Sequence, residues 1–285
     1  MKAAVIDLDS LGYIVAYQQY KSGNKGDSKR VSLHIKDFIS SILTTVGAEY
    51  YMMFYQDSGH TNFRKEIYSE YKANRPDTPD FYKCWKNTVI ETFKDLGAIA
   101  LKTIESDDAL SIVNKTVKNY GKSFVVNNDS RQRLVIYLED LIFCHNDKDM
   151  FQLPGMHYLF TKAETVTISE QEAFINLYRQ ILMGDNIDNI KGISGCGPKR
   201  AEKILSLAKT EEDLKLNTVA KYGQVYGDSW REEYIKTRLL VELLEPNQQY
   251  ESISKKIEWI KNDNLLSTTS LFESGKSMDI NDLFY

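Results

Sequence analysis

The chain has 285 residues, 42% hydrophobic and 27% charged, enough for one large domain or a domain with a smaller one appended. It holds no run of about eighteen apolar residues, and its opening, MKAAVIDLDS, turns acidic too early for a signal peptide, so a soluble cytoplasmic protein with no membrane partner is expected. Cys84, Cys144 and Cys196 are too widely spaced for a zinc pattern and odd in number, and a formal net charge of -4 argues at first against a nucleic-acid partner.

Residues 2–8 (KAAVIDL) form a short apolar run ending in acid, the pattern of a buried parallel strand that delivers Asp7 at its C-terminal end. Residues 33–46 carry apolar positions at helical spacing, and residues 50–55 (YYMMFY) are a second strand running into Gln56 and Asp57. Alternating strands and helices place ligands at the carboxyl ends of parallel strands, so Asp7 and Asp57 are expected to meet; a turn-forming aspartate after each strand is the alternative. Residues 57–75, DSGHTNFRKEIYSEYKANR, then interleave Arg64, Lys65, Lys72 and Arg75 with Phe63, Tyr68 and Tyr71. Cations suit phosphates and aromatic faces suit bases, although a solvated amphipathic helix reads the same way.

An acid after a strand, then FR, then YKANR, resembles the 5′ nuclease family, which includes bacteriophage 5′ exonucleases, flap endonucleases and the 5′-nuclease domain of bacterial DNA polymerase I. The resemblance implies an α/β fold: a central, mostly parallel sheet flanked by helices, a PIN-like nuclease core, with a helix-hairpin-helix DNA-binding region. It also directs attention to further acids. Residues 81–96 read as a helix and 98–104 (AIALKTI) as a strand, after which Glu105, Ser106, Asp107 and Asp108 resemble the family's E-x-D-D. Simple helix capping is the alternative for Asp107. In residues 121–140, SFVVNND could end a strand at Asp129, but the following residues lack paired acids. LIFCH and then NDKDMFQLPG resemble the family's D-x-D with its Q-L-x-G continuation, which assigns the site to Asp147 and Asp149 and makes 121–140 an insertion.

Residues 181–205, ILMGDNIDNIKGISGCGPKRAEKIL, join acids to a basic glycine-rich turn. Asp185 and Asp188 are three apart, so a helix there would project both from one face. Gly192, Gly195 and Gly197 allow positive φ and close backbone approach, Pro198 suits a first helical position, and Lys199, Arg200 and Lys203 add charge where a helix N-terminus already favours anions. A backbone phosphate, met without regard to base sequence, is the natural ligand. A glycine-rich loop before an ordinary amphipathic helix is the alternative. By resemblance, the segment holds the last acid pair and the hairpin.

The proposed cluster is therefore Asp7, Asp57, Glu105, Asp107, Asp108, Asp147, Asp149, Asp185 and Asp188. Two carboxylates about 4 Å apart repel by about 4 kcal/mol at an effective dielectric near 20, so cations must share the cluster or some acids must stay protonated. An all-oxygen donor set selects two or more Mg²⁺ or Mn²⁺ ions over zinc; the resemblance adds K⁺ at the hairpin. Metal occupancy also answers the net-charge objection. The surface facing DNA is then set by Arg64, Lys72, Arg75, Lys191, Lys199, Arg200 and Lys203. The resemblance places Lys72 and Arg75 beside the scissile phosphate, stacks Tyr71 near the terminal nucleotide, and lets the hairpin, with Gly192, Gly195 and Gly197, grip duplex backbone.

The expected organisation is a nuclease core over 1–180 with a short arch near 76–95, a helix-hairpin-helix region over 181–250 and a C-terminal extension over 251–285. The short arch favours trimming from 5′ ends over flap cleavage, on duplex DNA or an RNA/DNA hybrid. The end, SMDINDLFY, resembles phage peptides that bind a sliding clamp, against the alternative of a frayed end on its own domain. The chain is taken as a monomer. A PIN-type ribonuclease would share the acids without needing the hairpin, and a non-catalytic replication scaffold would keep the hairpin without needing the acids.

Overall fold

The computed structural model describes residues 2–23, 26–57, 59–119, 126–127, 133–134, 137–245 and 260–261. Asp129, most of the 121–140 insertion and the clamp-like end lie outside the described residues. The first half runs β1 (Ala3–Asp7), α1 (Asp9–Lys21), α2 (Ser28–Val46), β2 (Tyr50–Gln56), α3 (Phe63–Ile67), α4 (Asp80–Asp95), β3 (Ile99–Leu101) and α5 (Ser106–Asn119). After the short pair β4 (Val126–Asn127) and β5 (Arg133–Leu134) come β6 (Leu141–His145), β7 (Gly155–Leu159) and β8 (Glu164–Ile168). The rest is α6 (Glu170–Met183), β9 (Gly184–Asp185), β10 (Ile190–Lys191), α7 (Pro198–Leu205), α8 (Glu211–Tyr226), α9 (Trp230–Val241) and β11 (Ile260–Lys261).

β1 lies at the centre of the sheet, parallel to β2 on one side and to β6 on the other, with β3 parallel to β2 and β7 parallel to β6. Among its described strands, only β8 and β11 run antiparallel, both at its margins. β1 and β6 are buried at every residue, which is why they are unbroken apolar runs and not alternating ones. Val5, Met52 and Phe143 face a core covered by α5. Ile6, Met53 and Cys144 face the opposite core under α1, α2 and α4. The chain leaves β1 toward β2 on one side and reaches β6 on the other, so a crevice opens at the carboxyl ends of the central strands.

A third core joins α6, α7, α8 and α9 and includes Tyr71. α6 starts with a capping box between Ser169 and Glu172. α4 takes up most of the 76–95 region where an arch was expected. It lies along α1 and α2 so closely that a Cβ at Gly12 would stand 2.8 Å from Val89 Cγ1. Only residues up to 79 remain outside the helix, because Trp85, Val89 and Phe93 are apolar enough to bind it to the core. No helix among the described residues is long and apolar enough to cross a membrane.

Candidate active site

The crevice collects its acids from four places: the β1–α1 junction (Asp7, Asp9), the start of α5 (Glu105, Asp107), the turn after β6 (Asp147, Asp149) and the β9–β10 hairpin (Asp185, Asp188); Ser106 opens α5. Ser106 Oγ lies 2.6 Å from Asp7 Oδ1 and 2.7 Å from Asp9 Oδ2. A hydroxyl has one proton, so both contacts are satisfied together only when one carboxyl is itself protonated. The Asp9 amide donates to Asp7 Oδ1 at 2.9 Å and the Gln56 amide to Asp9 Oδ1 at 2.8 Å. Burial and then the neighbouring Asp9 push the Asp7 carboxyl up to about 7, and burial raises Asp9 as well.

On the other wall, charge is balanced differently. Lys72 pairs with Glu105 and lies 3.6 Å from Asp188, while Arg75 pairs with Asp188, its Nε at 3.1 Å. Tyr71 Oη sits 2.8 Å from Glu105 Oε2 and 3.2 Å from Asp188 Oδ2. Burial alone would raise Glu105, but Lys72 and Arg64 outweigh it and hold the carboxyl below its usual range. Lys72 stands at φ +59°, a conformation fixed by its amide donating to the Asp188 carbonyl at 2.9 Å.

Asp147 and Asp149 come from the turn after β6. Asp147 Oδ1 accepts from the Asp149 amide at 2.9 Å, and Asp149 Oδ1 from Gln180 Nε2 at 2.6 Å. Burial, then Asp147 and Asp185, push Asp149 up to about 7. Asp185 lies 3.4 Å from Lys148 Nζ. A cavity of about 760 Å³ is bordered by Asp7, Asp9, Glu105, Asp107, Asp147 and the three cations Lys72, Arg75 and Lys148. A narrow extension continues past Asp149, Asp185 and Asp188.

Several expectations change on this geometry. Asp57 does not meet Asp7: its carboxylate turns to the Gly59 amide at 3.2 Å and lies near His60, because Asp9 takes the amide at the end of β2. Asp108 is fully buried in a two-pronged pair with Arg64, at 2.6 and 2.7 Å, and is not free to serve as a ligand. Arg64 is correspondingly withdrawn from any DNA-facing surface; its Nε donates to the Leu240 carbonyl at 2.9 Å, which ties α9 to α3 and, through Asp108, to α5. Tyr71 is buried, so its ring offers no stacking face; its hydroxyl donates to Glu105 instead and lies 3.2 Å from Asp188. Asp185 and Asp188 lie not on a helix but in the β9–β10 hairpin, where a left-handed Asn189 completes the turn. Asp9, Ser106, Lys148 and Gln180 escaped the sequence reading; the D-L-D spacing of residues 7–9 was the available signal for the first.

Among the described residues, no three carboxylate, imidazole or thiol groups close on one point as they stand, since Lys72, Arg75, Lys148 and Gln180 draw the acids apart. The donor chemistry nonetheless fits a hard divalent ion. Asp7 and Asp149 hold protons near neutral pH that such an ion would displace, and oxygen donors line the cavity.

The basic turn stands apart from this cleft. Gly184 (φ +69°) and Gly192 are pressed together, and a methyl group on either would overlap the other's backbone. Gly192 thus serves packing of the hairpin, not approach of a phosphate. Gly195 needs its glycine for φ +68°, whereas Gly197 has neither a positive φ nor any neighbour within 4 Å of a Cβ. Past it, Pro198 opens α7, with Lys199, Arg200 and Lys203 exposed and Lys191 exposed on β10.

Residues 2–179 match the family model of the 5'-3' exonuclease N-terminal resolvase-like domain. A 5'-3' exonuclease of Aquifex aeolicus is 25% identical over 195 residues, covering 68% of this chain and 64% of that protein. DNA polymerase I of Streptococcus pneumoniae is 27% identical over 165 residues, 52% of this chain but 17% of the polymerase, so the chain spans a small part of that relative's length. The crystal structure of the T5 D15 protein with metal ions superposes with a TM-score of 0.58 at 17% identity, over 97% of both chains, and shares the fold. Because that family model spans β1 to β8 and most of α6, the chain belongs to the 5'-3' exonuclease family.

Proposed function

We propose that the chain is a divalent-metal-dependent 5′ nuclease that hydrolyses phosphodiester bonds at 5′ ends or 5′ flaps of duplex DNA, or of an RNA/DNA hybrid, by structure and not by sequence. The observation that carries this reading is the meeting of Asp7, Asp9, Glu105, Asp107 and Asp147 with Lys72 and Arg75 in one cleft. A family member without catalysis has no physical reason to gather so much like charge. Asp7, Asp9 and Asp107 at one end, and Asp147, Asp149 and Asp185 at the other, are the residues that would hold Mg²⁺ or Mn²⁺. Held there, such ions would supply an activated water and neutralise charge on the phosphodiester.

The chain's own residues do the rest. Lys72 and Arg75 are paired with Glu105 and Asp188, and an entering phosphate competes for the same cations, so they position it at the cleft edge. Tyr71 steadies Glu105 from beneath with its one hydroxyl proton. Lys191, Lys199, Arg200 and Lys203, with the open backbone at Gly197, hold duplex phosphates away from the chemistry. To the same reading belong a nuclease core over 1–180 and a DNA-binding helix-hairpin-helix over 181–250 with K⁺ at its turn. It also includes action as a monomer in the cytoplasm and a sliding-clamp contact through the C-terminal end.

Product sizing on a 5′-labelled flap and a blunt duplex tests it. Mg²⁺ or Mn²⁺ should yield short 5′ products that a chelator abolishes. No cleavage in either metal, or preferred cleavage of single-stranded RNA, overturns it.

A further inference from the structure

Beside the cleft, α1 carries an aromatic face that the chemistry above leaves unused. Tyr13, Tyr17 and Tyr20 are spaced four and three residues apart, so one side of the helix presents all three. They are 39%, 44% and 60% exposed, although α1 already buries Leu11, Val15 and Ala16 in the core and packs Gly12 against α4. Contacts with α4 cover part of each ring and leave the rest open to solvent. Phe81 and Tyr82, from the start of α4, extend the face. Tyr13 stacks on Tyr82 with ring centroids 5.0 Å apart and meets Phe81 edge-on at 5.1 Å, while Tyr17 and Tyr20 lie 5.4 and 5.9 Å from Phe81.

Two features join this face to the cleft and to a charged ligand. Tyr13 lines the same cavity as Asp7, Asp9, Lys72 and Arg75, so the first ring opens directly onto the acids. Lys21 lies over the Tyr17 ring at 5.4 Å, which sets a cation at the far end. Stacking on neutral rings also suits this neighbourhood, because it holds a polyanion near many carboxylates without relying on a basic groove.

We infer that the Tyr13–Tyr17–Tyr20 face binds the unpaired bases of a single strand that enters the cleft at Tyr13, with Lys21 on its backbone. On the nuclease reading above, from which this takes the identity of the strand, those are the nucleotides 5′ of the scissile bond.

The test compares the full chain with Tyr17→Ala/Tyr20→Ala and Tyr17→Phe/Tyr20→Phe, leaving Tyr13 intact because it borders the acids. Binding is read by fluorescence anisotropy at low salt in chelator, on a blunt duplex, on one with a 5′ extension of about six thymidines, and on one with an abasic extension of equal length. Stacking is the contribution removed. The affinity that thymidines add over the abasic extension should fall at least about tenfold in the alanine variant and persist in the phenylalanine variant, with the blunt duplex unchanged. Equal gains in wild type and alanine variant, equal weakening on the blunt duplex, or no thymidine gain in the wild type would each overturn the inference. Failure of the chain to cut any of these duplexes in Mg²⁺ would instead count against the nuclease reading, and the binding comparison would still decide the aromatic face.

Discussion

The two ends of the acid cleft handle the same repulsion by different means. Around Asp7 and Asp9 the balance is struck with protons: both carboxyls are raised and share one serine hydroxyl. Around Glu105 and Asp188 it is struck with cations, and Glu105 is held low by Lys72 and Arg64. The difference tells which end demands metal. A site neutralised by protons exchanges them for a divalent ion, whereas one neutralised by lysine and arginine is already set to exchange carboxylate for phosphate.

The largest expected effect lies beneath the cationic end, where Arg64 pairs with buried Asp108 and stands 3.8 Å from Glu105. Arg64→Met leaves Asp108 charged and unpaired in the core, which should cost about 3–5 kcal/mol in urea unfolding. Arg75→Ala, removing a half-buried cation, should cost no more than about 1 kcal/mol yet lower turnover. If Arg64→Met unfolds no more easily and merely weakens DNA binding, the original assignment of Arg64 to the DNA surface is right and the buried-pair account fails.

At the proton end, Asp7→Asn should lower the rate at limiting Mg²⁺ by roughly a hundredfold or more while leaving metal-free stability equal or higher, since a repelling carboxylate is gone. A variant that loses stability instead would break the comparison. Asp57→Asn should change neither, because that side chain points at its own turn.

These contrasts mark what the sequence could carry. Apolar runs leading to an acid made β1 and β2 legible, because strands buried on both faces need unbroken hydrophobicity, and the family spelling led to Glu105, Asp147 and Asp185. Partnership was not legible. Arg64 and Arg75 read alike in FRKEIYSEYKANR, but only the three-dimensional approach of α5 and α9 turns one into a core ion pair. Asp57 and Asp9 likewise both follow strands, and which one reaches the crevice depends on the Gln56 amide, a backbone contact with no sequence signature.

Stability against pH sharpens the comparison further. A carboxyl held at about 7 in the folded chain keeps a proton that the unfolded chain, with its ordinary value of 3.8, has released. Metal-free protein should therefore lose stability as pH rises from about 4 to about 7, by up to about 1.4 kcal/mol per pH unit for each such group, and level off above. Glu105 acts in the opposite sense, its contribution being lost only as pH falls through its lowered value. Urea midpoints in chelator across that range measure the balance, and Asp7→Asn should flatten the slope. A flat or rising slope above about pH 5 would contradict the raised carboxyls, since Glu105 no longer titrates there in either state.

The smallest effect concerns the basic turn. Lys199→Ala with Arg200→Ala should weaken duplex binding at low salt and reduce the salt slope by up to about 2 units, with the rate at saturating DNA little changed. A lost saturated rate would merge grip with chemistry.

Mn²⁺ uptake tests most directly the claim that the proton-bearing acids are the metal site. Calorimetric titration near pH 6.5 in buffers of different ionisation enthalpy counts the protons released on binding. Uptake should release protons, be lost or strongly weakened in Asp7→Asn, and be unchanged in Asp57→Asn. No uptake, uptake without proton release, or loss in Asp57→Asn with retention in Asp7→Asn would contradict it.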